Sequence, residues 1–516
     1  MSLYDRGKAR RSLIDTMSYR AISQIATFAS YIVLVRSMAE KDFGIFNLIY
    51  AFIPVLSTVA SLGLEQTLRR YQPEYLRAGQ QPAAAWLTRF VGTTRLFVDI
   101  IVLAAMFLAW NTIAPLFQLQ PYRFAFGLFC LIFILHFQAR VLQLALGSYM
   151  LHRYSVGSMA VMPIVKLAAY SVMAFFGTMT LEHAILADTV AYAVAYTVLR
   201  LAYNKHCVTA ESRKPYRPDA TERKRLIRYG FFNNFNDAGS MLLTTKADNF
   251  YIAAMLDTFS VGIYSFYTRL NEMVNNLSPV RLFDNVVQPL FFSMSPQQAE
   301  KKVPEIFTLL LNANLILQWP ILAFATAYHK EIVMTVFAGK FIDYSWLLPM
   351  VVAFGMLNIF TVPATLVAQY EEKSGVILLS KLAAIYNVIA LLILLPLLGI
   401  YGATLASGSA QLLKNGFIWW NVRTRAVWLN ARGAVISGLL LWGGVVAICE
   451  GVKAISHLPP IVHLCIGAIV CALALLIHLR GPALSQTDRK ILSSVMGGRE
   501  ANVLRRLGIY LPVDAR

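Results

Sequence analysis

The sequence predicts an all-α polytopic membrane protein of about fourteen spanning helices. Three observations predict it. Apolar stretches of about 20 residues, each long enough to cross a hydrocarbon core, recur from Leu13 almost to the C-terminus. The 516 residues are 57% hydrophobic and only 14% charged, a balance that a water-soluble globule of this size does not show. Arg and Lys concentrate at every second joint between the stretches, as the positive-inside rule requires of a chain that weaves through a bilayer.

Taken in order, the spans fall at about 14–36, 44–64, 90–112, 124–148, 157–176, 183–203, 227–251, 259–283, 305–327, 346–368, 377–398, 402–422, 433–451 and 460–479. The first follows a basic segment, MSLYDRGKARR, and carries Asp15 and Arg20 with no small-residue cleavage site after it, so it is expected to remain in the mature protein. The joint after span two holds Arg69, Arg70, Arg77 and Arg89, and that after span six holds a dense run from Lys205 to Arg228. Lys301, Lys302, Lys373, Arg423, Arg425, Arg432 and a basic tail follow on the same side, which predicts both termini in the cytoplasm. The opposite joints, such as TMTLEHA and LDTFS, are short and poor in positive charge.

The joint KHCVTAESRKPYRPDATERKR, with two prolines and a basic run, divides the first six spans from the next six. Span two opens on Asp42-Phe43-Gly44-Ile45-Phe46 and span eight on Ser260-Val261-Gly262-Ile263-Tyr264, the same Gly-Ile-aromatic start at the second helix of each half. Two six-helix repeats follow, related by an axis along the membrane normal. The expected organisation is an N-terminal lobe at 1–203, a basic cytoplasmic linker at 204–226, a C-terminal lobe at 227–424, accessory helices at 425–480 and a basic tail at 481–516, which is amphipathic in its pattern.

The net charge of +19 sits at the ends of apolar spans and not in a patch interleaved with aromatics, which argues against nucleic acid as a partner. The five cysteines are scattered without CxxC or metal-ligand spacing, so neither a disulfide framework nor a zinc site is implied. GxxxxGK[ST] is absent, which argues against an ATP-driven pump in one chain. No large polar joint on the outer side carries paired carboxylates of the kind an enzyme would use.

Ionisable groups at membrane depth are costly unless they face protein or water, so they are the candidate functional residues. Arg20, Arg95, Arg269 and Arg281 are candidates for binding an anionic substrate, since Arg binds phosphate through paired hydrogen bonds. Asp99, Asp188, Asp237 and Glu272 are candidates for coupling to an ion. Arg95 and Asp99, four apart, also fit a purely structural ion pair, and Glu272 lies three residues from Arg269 on the same face. Asp188 needs a partner on another helix. Asp237 lies among Asn233, Asn234, Asn236 and Gly239 in a stretch that reads as unwound or cavity-lining. Lys166 and Arg140 read as markers of topology, and Lys246 and Asp248 as groups that reach the headgroups from the outer end of span seven. Pro54, Pro163, Pro279, Pro320, Pro349 and Pro363 fall within spans and suit helices that bend.

FGIFNLIYAFIPVLSTVASLGLEQTLRRYQPEYL at span two, KADNFYIAAMLDTFSVGIYSFYTRL across spans seven and eight, VFAGKFIDYSWLLPMVV before span ten and LGIYGATLAS at span twelve resemble the Wzx-type polysaccharide transporters of the multidrug/oligosaccharidyl-lipid/polysaccharide (MOP) exporter superfamily. The resemblance implies a V-shaped, MATE-like bundle of two six-helix lobes plus two C-terminal helices in the bacterial inner membrane. It implies a secondary transporter that flips undecaprenyl-diphosphate-linked oligosaccharide from the inner to the outer leaflet for exopolysaccharide or O-antigen synthesis, by alternating access through a cationic cavity. Arg20 and Arg269 fall in the helices where the related lipid II flippases keep cavity arginines, although the first-helix pattern of that subgroup is not matched. No cofactor is implied beyond a coupling proton or sodium. The implied partners are the lipid-linked oligosaccharide, membrane lipids, and a polysaccharide polymerase and co-polymerase. The competing expectations are a multidrug or cation exporter of the same fold, whose site would be more apolar or acidic, and a polytopic polymerase or ligase.

Overall fold

The computed structural model describes residues 6–241, 245–276, 296–357, 373–422, 425–456 and 458–480, with the short stretches 364–365, 367–368 and 488–489. Among the described residues every regular element is a helix, and nine helices are long and apolar enough to cross a membrane. The chain forms two compact units, Met1–Ser265 and Phe266–Arg516.

The first unit opens with α1 (Arg6–Ser37) and α2 (Glu40–Ser61). α2 ends where Leu62 and Gly63 both take left-handed backbone conformations, with φ of 46° and 70°. A Cβ on Gly63 would lie 1.8 Å from the Gly230 carbonyl oxygen, so the chain turns sharply there and admits a neighbouring backbone at contact distance. The turn leads into α3 (Leu64–Arg77), an amphipathic helix in a segment that the charge pattern had marked only as a joint. Leu64, Leu68, Tyr71 and Tyr75 share one face and are buried, while Arg69, Arg70 and Arg77 are exposed. A window sized for a spanning helix averages these two faces and reports only polarity.

α4 (Gln81–Leu108) and the single turn α5 (Trp110–Ile113) lead to α6 (Arg123–Ser148), α7 (His152–Phe175) and α8 (Leu181–His206). These agree with the windows at 90–112, 124–148, 157–176 and 183–203, the main extension being at the start of α4. α8 begins because the Thr180 hydroxyl accepts from the His183 amide, and it closes with Lys205 and His206 where the helix dipole favours cations. α6 and α7 both pack along α8, and α1 packs along α7, where Gly157 lets the Tyr19 ring approach and Ser23 donates to the Met159 carbonyl at 2.8 Å.

α9 (Ala220–Met241) and α10 (Thr245–Met255) occupy the window expected to hold one helix at 227–251, and α11 (Thr258–Asn276) crosses from the first unit into the second. In the second unit α12 (Pro296–Phe337) is longer than expected and kinks at Tyr328, whose φ of −122° and ψ of 24° leave the helical region. α13 (Leu347–Leu357), α14 (Ser374–Ser380), α15 (Ala383–Leu398) and α16 (Ile400–Asn421) follow. α17 (Arg425–Ile455) and α18 (Pro460–Arg480) dock on α12: Gly438 and Gly467 make room for the Trp319 and Tyr328 rings, and Trp442 donates to Thr326 at 3.2 Å. Lys453 on α17 donates to the Ala327 carbonyl at 2.6 Å, beside the kink, and pairs with Glu331 at 3.3 Å. Leu392, Leu397, Leu440, Ile455 and Ile477 point outward as large exposed apolar groups, which suits helices solvated by lipid.

Candidate functional site

The first unit holds the most enclosed of the described charges. Asp188 on α8 is fully buried, and its carboxylate accepts hydrogen bonds from the Lys166 ammonium at 2.7 Å, from the Tyr170 hydroxyl at 2.5 Å and from the Tyr50 hydroxyl. Lys166 and Tyr170 are one turn apart on α7, as are Asp188 and Tyr192 on α8, so two helix faces present a cation and an anion with an aromatic ring beside each. The Lys166 ammonium lies 5.0 Å from the centre of the Tyr192 ring and 5.8 Å from that of Tyr50, which supplies further stabilisation of its charge. Tyr50 stacks on Phe46 and meets Phe129 edge-on, fixing its hydroxyl toward α8. Asp188 thus has the inter-helix partner its sequence position requires. Lys166, read from sequence as a topology marker, is that partner, because α7 and α8 pack along each other and bring it to the carboxylate.

A second cluster joins α3, α4 and α6. Arg95 and Asp99, both fully buried, pair at 2.8 Å, Glu65 lies 3.8 Å from Arg95, and Arg140 lies 3.7 Å from Glu65. The Arg95 guanidinium sits over the Phe137 ring at 4.0 Å. The Arg95–Asp99 pair read from the i,i+4 spacing is therefore present, and Glu65 and Arg140 extend it. His136 on α6 meets the Tyr192 ring edge-on at 5.5 Å and lies within the electrostatic reach of Arg95, Arg140 and Lys166, so it stands between the clusters. At ~1.5 Å per residue, Tyr50, His136, Lys166 and Asp188 lie roughly 10–20 Å from the ends of their helices on one side, well inside the apolar layer.

The remaining candidates are placed differently. Arg20 on α1 is half-buried and has no hydrogen-bond or ion-pair partner among the described residues. Arg269 and Glu272 belong to the second unit, pair at 2.8 Å and remain partly exposed. Nearby Gln318 donates to Asn275 at 3.2 Å and Asn275 to Asn271 at 3.1 Å, a polar strip along α11. Arg281 and the side chain of Asp237 lie outside the described residues. Asp248 does not reach for headgroups: it is fully buried and accepts from the Tyr264 hydroxyl at 2.6 Å, because α10 and α11 fold back on one another around it.

Outside the apolar layer, α3 meets the start of α9 through Glu222, whose carboxylate accepts from Tyr75 and Tyr216, and through Glu74, which pairs with Arg225 at 3.2 Å and with Arg70 at 3.1 Å. Burial and the bond to Glu222 hold the Tyr75 phenol well above its ordinary value, and the same causes push Tyr216 up to about 12.

Tyr50, Glu65, His136, Tyr170 and Tyr192 carried no functional weight in the sequence. The signal present was the matched i,i+4 spacing of Lys166 with Tyr170 and Asp188 with Tyr192. Buried charges at membrane depth and a lipid-facing exterior define a multi-pass membrane protein.

The family described as Polysaccharide biosynthesis protein matches residues 10–295, more than half of the chain, and the chain belongs to that family. No curated protein sequence matches it. Among solved structures, it is similar to the lipid II flippase MurJ in an inward closed conformation, with a TM-score of 0.68 at 11% identity over 90% of this chain and 98% of that one. An inward-facing multidrug resistance MATE family transporter of the MOP superfamily gives 0.60 at 12% identity, over 80% and 98% of the two chains. The MATE multidrug transporter DinF-BH in complex with R6G gives 0.57 at 16% identity, over 82% and 97%. The fold is thus shared with that flippase and those MATE transporters, as the resemblance of the sequence motifs implied.

Proposed function

We propose that the protein flips undecaprenyl-diphosphate-linked oligosaccharide from the inner to the outer leaflet of a bacterial inner membrane, supplying exopolysaccharide or O-antigen synthesis. The observation that carries this reading is membership of a polysaccharide biosynthesis family on a fold shared with a lipid-linked precursor flippase. A diphosphate needs cations, sugars need a polar path, and the polyprenyl tail stays in lipid. Arg20, half-buried and without a partner among the described residues, is free to engage a phosphate. Arg269 and Arg281 add positive charge on the second half of the chain, and Arg95 sets the local potential from its buried pair. Movement is driven by a proton or sodium gradient through alternating access, with Asp99, Asp188, Asp237 and Glu272 as the carboxylates that exchange the ion. Both termini lie in the cytoplasm, and a polysaccharide polymerase with its co-polymerase receives the product. The protein makes and breaks no covalent bond.

The test is translocation of a fluorescent undecaprenyl-diphosphate oligosaccharide across proteoliposomes, with and without an imposed proton or sodium gradient. Protein-dependent movement of intact substrate is the expected outcome. Elongation or transfer of the sugar without movement would replace this reading with an enzyme, and movement of a cationic dye alone would replace it with a drug exporter.

A further inference from the structure

Two lysines of the second unit lie where a spanning helix does not ordinarily hold charge. Lys381 and Lys414 fall inside the spans expected at 377–398 and 402–422, and the sequence has no Asp or Glu between Glu372 and Glu450, so these helices carry no counter-ion of their own. Arg95, Lys166 and Arg269 each meet a carboxylate, at 2.7 or 2.8 Å. Lys414, half-buried on α16, has no hydrogen-bond or ion-pair partner among the described residues, and the charge within its electrostatic reach is the ammonium of Lys381. An ammonium at membrane depth whose neighbour is a second ammonium is disfavoured twice, by lost hydration and by repulsion, until an anion joins the two.

The packing of the hairpin brings them together. α15 and α16 run antiparallel from the turn at Gly399, and α14 also packs on α16. Tyr386 donates to Ser409 at 3.1 Å and Ser407 to Asn387 at 3.2 Å, and nearer the other end the Lys373 ammonium donates to the Asn421 carbonyl at 2.8 Å. Lys381 and Lys414 lie midway between these contacts in the same register, which sets them opposite each other. α14 ends at Ser380 and α15 starts at Ala383, with Lys381 in the break, where the amides of Lys381 and Leu382 bond to the carbonyls of Leu378 and Leu379, only three residues back. At ~1.5 Å per residue the two lysines lie roughly 10–12 Å inside the end marked by Lys373 and Asn421. Leu378, Leu382 and Ile385 near Lys381, and Leu413, Phe417 and Trp420 near Lys414, are exposed, so the pair borders a surface solvated by lipid.

We propose that Lys381 and Lys414 form a binding site for the phosphate of an anionic membrane lipid, whose headgroup enters between the two ammoniums and whose tails lie along the exposed apolar groups of α14, α15 and α16. Two ammoniums on separate helical segments hold one oxyanion by charge-assisted hydrogen bonds, and Gln411, one turn from Lys414 on the same face, places an amide beside them. The occupant turns a repulsion between α14–α15 and α16 into a bridge. The site needs only a chain that spans a membrane and stands apart from the flippase reading. Bulk phospholipid and a polyprenyl diphosphate present the same chemistry, and the experiment separates them.

The experiment uses the full chain, delipidated in a neutral detergent, with dioleoyl phosphatidylglycerol, undecaprenyl diphosphate or dioleoyl phosphatidylcholine added back. Bound lipid is counted by native mass spectrometry, and stability is followed by thermal unfolding. Lys414→Met and Lys381→Met are each expected to weaken binding of anionic lipid by about tenfold or more, whereas Lys414→Arg keeps it. Lys205→Met, which removes an exposed cation at the end of α8, is expected to change it by less than about twofold. Without anionic lipid, Lys414→Met is expected to unfold at or above the temperature of the parent, because the repulsion is gone while the apolar stem remains. A lower unfolding temperature there, equal binding of anionic lipid by the parent and both methionine variants, or phosphatidylcholine held as tightly as phosphatidylglycerol would overturn the site. Lysine-dependent binding of phosphatidylglycerol upholds it with bulk phospholipid as the occupant, and such binding of undecaprenyl diphosphate alone upholds it with the carrier lipid as the occupant. Translocation in proteoliposomes tests the flippase reading separately, so either can fail without the other.

Discussion

Lys166→Met and Asp188→Leu, made singly and together, form a thermodynamic cycle on the best-enclosed ion pair. Asp188 is fully buried and accepts from three donors, so its removal strands the Lys166 ammonium and takes the acceptor from the hydroxyls of Tyr50 and Tyr170. Removing one partner of such a pair costs about 3–5 kcal/mol. Asp188→Leu belongs at the top of that range. Lys166→Met belongs at or below its lower end, because the carboxylate keeps two phenol donors and the Lys166 side chain retains 15% exposure. With both charges gone only two phenols lack an acceptor, so the double variant should fall well short of the sum, with a coupling of about 2 kcal/mol or more. Unfolding titrations in mixed micelles at fixed lipid content would measure all four corners. Additivity of the two single effects to within about 0.5 kcal/mol would refute the coupling and with it the claim that α7 and α8 are joined through this pair.

Arg20→Ala and Arg269→Ala should each abolish oligosaccharide flipping in proteoliposomes at unchanged protein yield, with Lys205→Ala close to the parent; normal flipping by both arginine variants would remove them from the site. Gly63→Ala should lower stability by about 2 kcal/mol or more, since it adds a left-handed alanine and a clash with Gly230. Gly79→Ala, with a similar φ of 73° but nothing within 4 Å, isolates the backbone strain, and the difference in thermal unfolding between the two is the clash. Lys453→Met should loosen α17 and α18 from α12 by about 1–3 kcal/mol, seen as faster amide exchange over 425–480 with α4 and α6 unaffected.

The spanning helices were legible because each had to be apolar for about 20 residues. α6 was anticipated almost to the residue, Arg123–Ser148 against 124–148. What was hidden followed other rules. α3 escaped because its information lies in a 3.6-residue stripe, Leu64, Leu68, Tyr71 and Tyr75, within a stretch polar on average. Of the candidate site, the Arg95–Asp99 and Arg269–Glu272 pairs could be read from spacing along one helix. The partner of Asp188 could not, because the approach of Lys166 depends on how α7 lies against α8, and burial of Asp248 depends on the fold of α10 against α11. Charges are visible in sequence at membrane depth, while their pairing between helices is a property of packing.

The seat that Gly63 offers to Gly230 bears on biogenesis. The α2–α3 elbow leaves the ribosome long before α9 does, so the first helices enter the bilayer with a notch that only a later helix fills. α9 thereby acts as a key that the second stretch of the chain carries with it. A polypeptide severed within the basic loop at 208–218 leaves the notch on one fragment and the key at the head of the other, so the two pieces retain the means to recognise each other and complement. A cut placed after α9 would instead leave the notch filled within the first fragment, and the second fragment would have to dock through other contacts, such as that of Phe250 with Phe52.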